Sequence, residues 1–116
     1  MDLNEEENMK VINYENKKGF KNKHSIKKAV KLKDNKNIKI IHMTLDPGDY
    51  VIDHVTPFDV SFYVARGKVE MKIGDENKNV EPGSLVESPA DIVHGFKNNF
   101  DNEAQVLVIK HIKGGR

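Results

Sequence analysis

Two stretches of the sequence decide the fold: Pro47-Gly48-Asp49-Tyr50-Val51-Ile52-Asp53-His54 and Pro89-Ala90-Asp91-Ile92-Val93-His94. Each ends on a histidine that follows a turn marked by glycine or proline. The two histidines are forty residues apart and fall on separate predicted strands, with a predicted β-hairpin between them. A fold that brings these strands face to face would aim both imidazoles into one cavity. We expect the functional site in that cavity.

Short predicted strands alternate with turns along most of the chain. Runs of β-branched and aromatic residues are bounded by Gly, Pro, Asn and Asp, which is typical of strands. In one run Ile41, Met43 and Leu45 recur at every second position and would share one face. No amphipathic helix is predicted, so the pattern indicates an all-β sandwich or barrel. The predicted strands are 9–14, 26–33, 38–45, 50–56, 58–65, 68–73, 78–81, 85–87, 93–97 and 104–112.

Length and composition limit the class of protein. A chain of 116 residues suffices for one domain with one core, and no apolar run approaches the roughly 18 residues of a membrane-spanning helix. The acidic first residues lack the apolar stretch of a secretory signal. The absence of cysteine excludes disulfides and thiolate chemistry. We expect a cytoplasmic protein with a frayed tail at residues 1–8 and a single domain over residues 9–116.

The charge is unevenly distributed, although the net charge is only +1. Residues 10–39 carry eleven lysines against Glu15 and Asp34. Such a segment can attract nucleic acid through its phosphates. Few aromatic residues (Tyr14 and Phe20) and no arginine, the residue that most often reads bases, are interleaved with these lysines. A solvated edge is therefore favoured, and a nucleic-acid-associated protein is kept as the last alternative.

The two histidine stretches resemble the motifs of the cupins, which are small double-stranded β-helix (jelly-roll) barrels. The first cupin motif reads G-x5-H-x-H-x3–4-E-x6-G, and here Gly48 and His54 match its start. Asp91 stands where the second motif, G-x5-P-x-G-x2-H-x3-N, has glycine, and aspartate tolerates the left-handed backbone better than most residues. The resemblance covers roughly residues 38–112 and implies a cupin-type barrel. The remaining positions of the second motif are matched by Gly83, Pro89, His94 and Asn98.

The first motif also departs from the family pattern. The resemblance implies a metal site of three histidines and one glutamate, but Thr56 stands at the second histidine position and Val60 at the glutamate position. Asp59 is one residue from the lost glutamate and would point to the opposite face of its strand. A bulge could turn Asp59 inward as a ligand, and Thr56 could hold a metal-bound water. Both remain hypotheses.

The resemblance implies an inward-facing site whose metal ligands would be His54 and His94. Two imidazoles are a weak site for a divalent ion, because proteins normally offer three or four ligands. Alternation places His42 on the side away from the core, so we expect it at the surface or in a dimer contact. We expect His24 and His111 to be solvated. The predicted ligand pocket consists of Thr56, Val60, Phe62, Met71 and Phe96.

Three functions remain open on this evidence. The first is a cupin barrel of undetermined specificity that binds a small polar molecule, with a divalent metal ion of unknown identity as a weak additional component. The second is a metal-dependent cupin enzyme of the oxygenase or isomerase type. The third is the nucleic-acid-associated protein. We assign no catalytic residue and no organic cofactor, and we expect a homodimer, as is common among small cupins.

Overall fold

Nine strands form in the computed structural model, which describes residues 8–113. Nearly all of the predicted tail at residues 1–8 lies outside the described residues. Within the described part of the chain, no helix is long and apolar enough to cross a membrane. The strands are β1 (Lys28–Asp34), β2 (Lys39–Leu45), β3 (Tyr50–His54), β4 (Asp59–Arg66), β5 (Val69–Ile73), β6 (Glu76–Val80), β7 (Leu85–Ser88), β8 (His94–Lys97) and β9 (Ala104–His111).

The strands form two antiparallel sheets. One sheet has five strands in the order β1-β2-β9-β4-β7, and the other has four in the order β3-β8-β5-β6. From β2 onward the chain passes repeatedly from one sheet to the other, and only β5 and β6 follow each other in the same sheet. This winding is the double-stranded β-helix, so the predicted all-β jelly-roll barrel is confirmed.

The core lies between the two sheets and is built from alternate residues of their strands. Ile41, Met43 and Leu45 of β2 are buried in one cluster, as their spacing predicts. Phe62 of β4 and Phe96 of β8 come from opposite sheets and meet edge to face, with ring centroids 5.5 Å apart. Each such side chain stabilises the fold by about 1.5–3 kcal/mol when it is fully buried.

The N-terminal segment covers part of the outer face of the five-stranded sheet. The predicted strand over residues 9–14 is wrong, since this segment pairs with no strand and ends in a 3-10 turn at Tyr14–Asn16. The Tyr14 ring stacks on His42 at a centroid distance of 3.8 Å, and its hydroxyl accepts a hydrogen bond from Gln105. His42 is therefore only 6% exposed, and the expectation of a surface histidine is also wrong.

Two residues of the second motif fix the turns around the site. Asp91 has φ +68°, so the aspartate does adopt the left-handed backbone expected where the family has glycine. Asn98 is fully buried, and its side-chain amide donates to the carbonyl groups of Leu45 and Asn102. Its side-chain oxygen accepts from the backbone N–H of Phe100. Asn98 thus ties the end of β8 to the turn after β2.

Candidate functional site

The structure brings His54 and His94 together. They are register partners in the β3–β8 pair, and their ring centroids lie 4.6 Å apart with the ring planes at 83°. His94 is 1% exposed and His54 is half-buried. His54 is therefore the member of the pair that a molecule in solution can reach.

Hydrogen bonds at Nδ1 fix both rings. His54 Nδ1 lies 2.7 Å from the carbonyl oxygen of Ile52. Because a carbonyl only accepts, this nitrogen carries the proton in the neutral ring, and Nε2 has the free lone pair. His94 Nδ1 lies 3.0 Å from the hydroxyl of Ser88, which is itself buried. Among residues 8–113, the hydrogen bonds of both rings are made at Nδ1, so both Nε2 atoms remain available.

A third histidine, His24, joins the pair. Its ring centroid lies 5.5 Å from that of His54, and its Nδ1 accepts a hydrogen bond of 3.1 Å from the backbone N–H of Ile52. In the neutral His24 ring the proton is therefore on Nε2. The expectation that His24 is solvated is wrong, because Ser25 and Tyr50 form a β-bridge that fastens this loop along the edge of β3.

The only sequence signal for the position of His24 is local. The side chain of Asn22 accepts a hydrogen bond from the backbone N–H of His24, which is an Asx turn. Such a turn predicts a bend in the loop but not the strand against which the loop docks.

The predicted pocket residues are all buried, and one of them contacts the histidine pair. Phe62 meets His94 edge to face at 5.3 Å. Thr56 is buried, and its hydroxyl donates to the carbonyl of Phe58. That these side chains line a ligand pocket stays a prediction. The others, Val60, Met71 and Phe96, belong to the buried core cluster.

Lys110 also lies at this end of the barrel, although no sequence motif signals it. Val60 pairs with Ser88 on one side and with Lys110 on the other, so the three form one row across β7, β4 and β9. Alternation along β9 puts Lys110 on the same face as the core residues Val106 and Val108. Lys110 is half-buried, and burial together with Lys39 and Lys23 lowers the pKa of its amine.

The rings of His94 and His24 are held neutral by their surroundings. Burial lowers the pKa of His94 from 6.5 to about 4, and the charges of His54 and Lys110 act in the same direction. The pKa of His24 is also lowered to about 4, first by burial and then by His54, Lys23 and Lys110. Between pH 4 and 6.5 these rings are neutral in the folded protein, whereas the unfolded chain takes up their protons.

This difference predicts a pH-dependent stability. Protons bind preferentially to the unfolded chain, so the free energy of unfolding is at its full value above pH 6.5 and falls as the pH drops toward 4. We expect the lowered pKa of His94 alone to reduce the free energy of unfolding by about 2 kcal/mol between pH 7.5 and pH 5. Urea unfolding at these two pH values measures the loss. The His94→Gln variant should reduce the loss, while His111→Gln should retain it; an equal loss in both variants would contradict this account.

The donor set does not fit the four-ligand metal site that the resemblance implies. Within residues 8–113, no group of three or more His, Asp or Glu side chains is placed to hold a metal ion. His24 presents a protonated Nε2, which has no lone pair for a metal. Asp59 precedes the inward-facing Val60 on β4, so alternation turns it away from the site. Its register partner on β9 is His111, and its carboxylate accepts a hydrogen bond from the backbone N–H of Ala90.

Three surface cavities lie among the described residues, and one of them is lined by His24. A groove of about 580 Å³ crosses the outer face of the four-stranded sheet, along Tyr50, Lys72 and Lys97. A second cavity of about 460 Å³ lies under the loop that carries His24, and a third of about 330 Å³ lies next to Tyr14. None of the three is lined by His54 or His94.

The remaining histidine belongs to a separate network. His111 Nε2 lies 2.9 Å from the Ser61 hydroxyl, which also donates to Glu87 at 2.6 Å. His111 is half-buried, so the expectation that it is solvated is not met. The Glu87 carboxylate contacts Ser61 and not the His111 ring. In the catalytic triad of a serine hydrolase the histidine lies between the serine and the carboxylate, so these three residues do not form one.

These features define a small double-stranded β-helix barrel with a cluster of histidines at one end. Residues 41–110 match the family model described as the cupin domain. The chain therefore belongs to the cupin family. No curated protein matches its sequence.

Several solved structures share the fold. The polyketide cyclase RemF of Streptomyces resistomycificus is 18% identical, with a TM-score of 0.79, 90% of this chain covered and 80% of that one. An RmlC-like cupin of Methanocaldococcus jannaschii is 23% identical, with a TM-score of 0.70 and coverages of 81% and 89%. The protein TT1209 of Thermus thermophilus is 22% identical, with a TM-score of 0.69 and coverages of 96% and 94%. At these identities the likeness establishes the fold alone.

Proposed function

We propose that this cupin-barrel protein binds a small polar molecule at the barrel end where His54 and His94 meet. The observation that carries the proposal is the meeting of the two rings at 4.6 Å, each held by a hydrogen bond at Nδ1. Rigidly held polar groups above an apolar floor are typical of small-ligand sites. Phe62, in contact with His94, supplies that floor.

The hydrogen-bonding groups of the site favour a polar ligand. The lone pair on His54 Nε2 can accept a hydrogen bond from a ligand hydroxyl or amide. His24 Nε2–H can donate one to a ligand oxygen, because its Nδ1 is occupied by the backbone N–H of Ile52. A ligand that offers both a donor and an acceptor would satisfy both rings. An apolar ligand would leave these groups unpaired, at a cost of about 1–3 kcal/mol each.

The two other functions have less support. A metal-dependent enzyme would need ligands beyond His54 and His94, and Thr56 and Val60 occupy the positions that would supply them. The nucleic-acid alternative rests on the lysines of residues 10–39, and some of these are in ion pairs. Lys31 pairs with Asp34, and Lys27 pairs with Glu103.

A homodimer in the cytoplasm is part of the same proposal. Tyr63 and Leu85 are register partners on the outer face of the five-stranded sheet, and both are exposed. A second copy of the chain packed there would remove this apolar surface from water. The cytoplasmic location is supported by the absence of cysteine from the sequence.

The test of the proposed function combines metal analysis with a ligand screen. The protein is purified without a metal-affinity tag or chelator, its metal content is measured, and its thermal unfolding is followed with a panel of small polar compounds. We expect metal far below one ion per chain and at least one compound that raises the midpoint of unfolding. A ligand at a hundred times its Kd stabilises by about 2.7 kcal/mol. Near-stoichiometric metal that disappears in the His54→Ala/His94→Ala double variant would instead support the metal-dependent enzyme.

A further inference from the structure

We propose that the ligand of this site carries a carboxylate or phosphate group and that Lys110 is the cation that binds it. The inference rests on the proposed function, since it names the chemical class of the ligand at the same barrel end. It starts from the row formed by Ser88, Val60 and Lys110 on the inner face of the five-stranded sheet.

The row places Lys110 on the same inner face as Ser88, the hydrogen-bond partner of His94. Ser88 bonds to His94 at one end of the row, and Lys110 is two strands away. Directly opposed residues of neighbouring antiparallel strands have Cβ atoms about 4.5–5.5 Å apart. A lysine side chain, when extended, is long enough to span much of the remaining distance. The charge of Lys110 also helps to lower the pKa of both His24 and His94, which lie on different elements.

The charges around Lys110 are unbalanced. Among the residues that the structure describes, Lys110 takes part in no ion pair. Asp34 and Asp53 act electrostatically on this end of the barrel, but both are already paired. The lysines that pair with Asp34 are Lys31 and Lys39, at 3.4 and 3.8 Å, and Lys72 pairs with Asp53 at 3.1 Å.

A half-buried ammonium group without a counter-charge is unfavourable, because burial removes part of its hydration. An anion bound beside the ammonium group compensates for the lost hydration with a favourable electrostatic interaction. His24 Nε2–H points to the same chemistry, since it is a fixed hydrogen-bond donor at the same end of the barrel. The site therefore combines a cation and a neutral donor, the groups that bind the oxygens of a carboxylate or a phosphate.

The experiment compares anionic and uncharged probes on the intact chain. Inorganic phosphate, succinate and glucose are titrated at constant ionic strength, and binding is followed by calorimetry and by the NMR signals of the histidine rings. We expect phosphate or succinate to bind and to shift the ring signals of His24 and His54. The Lys110→Met variant, which keeps the apolar stem, should weaken this binding at least tenfold, whereas Lys110→Arg should largely retain it. Lys78→Met, on the exposed strand β6, is the matched control and should bind as the wild type does.

The outcomes separate this inference from the proposed function. Equal affinity of Lys110→Met and Lys78→Met for the anions would overturn the role of Lys110. If glucose shifts the histidine signals and neither anion does, the ligand class is wrong and the proposed function stands. If no compound of the charged and uncharged panel moves these signals, the proposed function fails together with the inference. Preference for phosphate over succinate, or the reverse, identifies which anionic group the site takes.

Discussion

Replacing His54 by alanine is expected to weaken the binding of the small polar ligand about tenfold to a hundredfold while the fold remains intact. The ring is half-buried, and its Nε2 is the accessible acceptor of the site. Loss of one hydrogen-bonding partner leaves the matching ligand group unpaired, at a cost of about 1–3 kcal/mol. Isothermal titration of the wild type and the variant with a compound from the thermal screen measures the change.

His94 needs a different substitution for the same test. Alanine would leave a cavity next to Phe62 and deprive the buried Ser88 hydroxyl of its partner, so His94→Ala would lose stability as well as binding. His94→Gln keeps more of the volume and a polar group. We expect His94→Gln to weaken ligand binding about as much as His54→Ala does. His111→Ala, on the outer face of the other sheet, is the control, and normal binding by both site variants would show that the ligand does not contact the pair.

Replacing Gly67 by alanine should cause the largest loss of stability. Gly67 lies in the turn between β4 and β5 with φ +69°, where an L side chain is strained. A Cβ there would also collide with the backbone carbonyl oxygen of Glu103 and lie 2.9 Å from the Cα of Ala104. Neither atom is the end of a flexible side chain, so the strands must move. We expect a loss of about 3 kcal/mol or more in the free energy of unfolding, measured with urea.

The matched control for this prediction is Gly83. It also has a positive φ, +92°, but a Cβ there would meet nothing within 4 Å. Gly83→Ala should therefore cost only the backbone strain, about 1–2 kcal/mol. If the two alanine variants lose the same stability, the close contact between Gly67 and the start of β9 does not exist in solution.

The fold could be predicted because local sequence patterns specify its strands and turns. The alternation of Ile41, Met43 and Leu45 sets the buried face of β2, and the turn glycines and Asp91 adopt the backbone that their positions require. These signals depend only on residues close together in the chain. They also placed His54 and His94 on separate strands. The resemblance to the cupin motifs implied that the two share a site, and the register pairs them.

The parts that could not be predicted depend on contacts between distant segments. His24 reaches His54 because residues 22–25 dock on the edge of β3, and no periodicity in a polar loop signals that contact. Alternation placed His42 on the outer face, but the chain folds back and lays Tyr14 over it. Lys110 follows a run of core residues and looks like a solvated strand end until its partner Val60 is known.

The five histidines of the chain allow one direct measurement of the central claim, that His54 and His94 form a single ligand site. Long-range nitrogen–proton NMR spectra of the rings are recorded with and without each compound that stabilises the protein. The account predicts that a bound compound shifts the signals of His54 and His94 together at equal occupancy, while those of His42 and His111 stay in place. A compound that stabilises the protein and leaves both His54 and His94 unchanged would contradict the account.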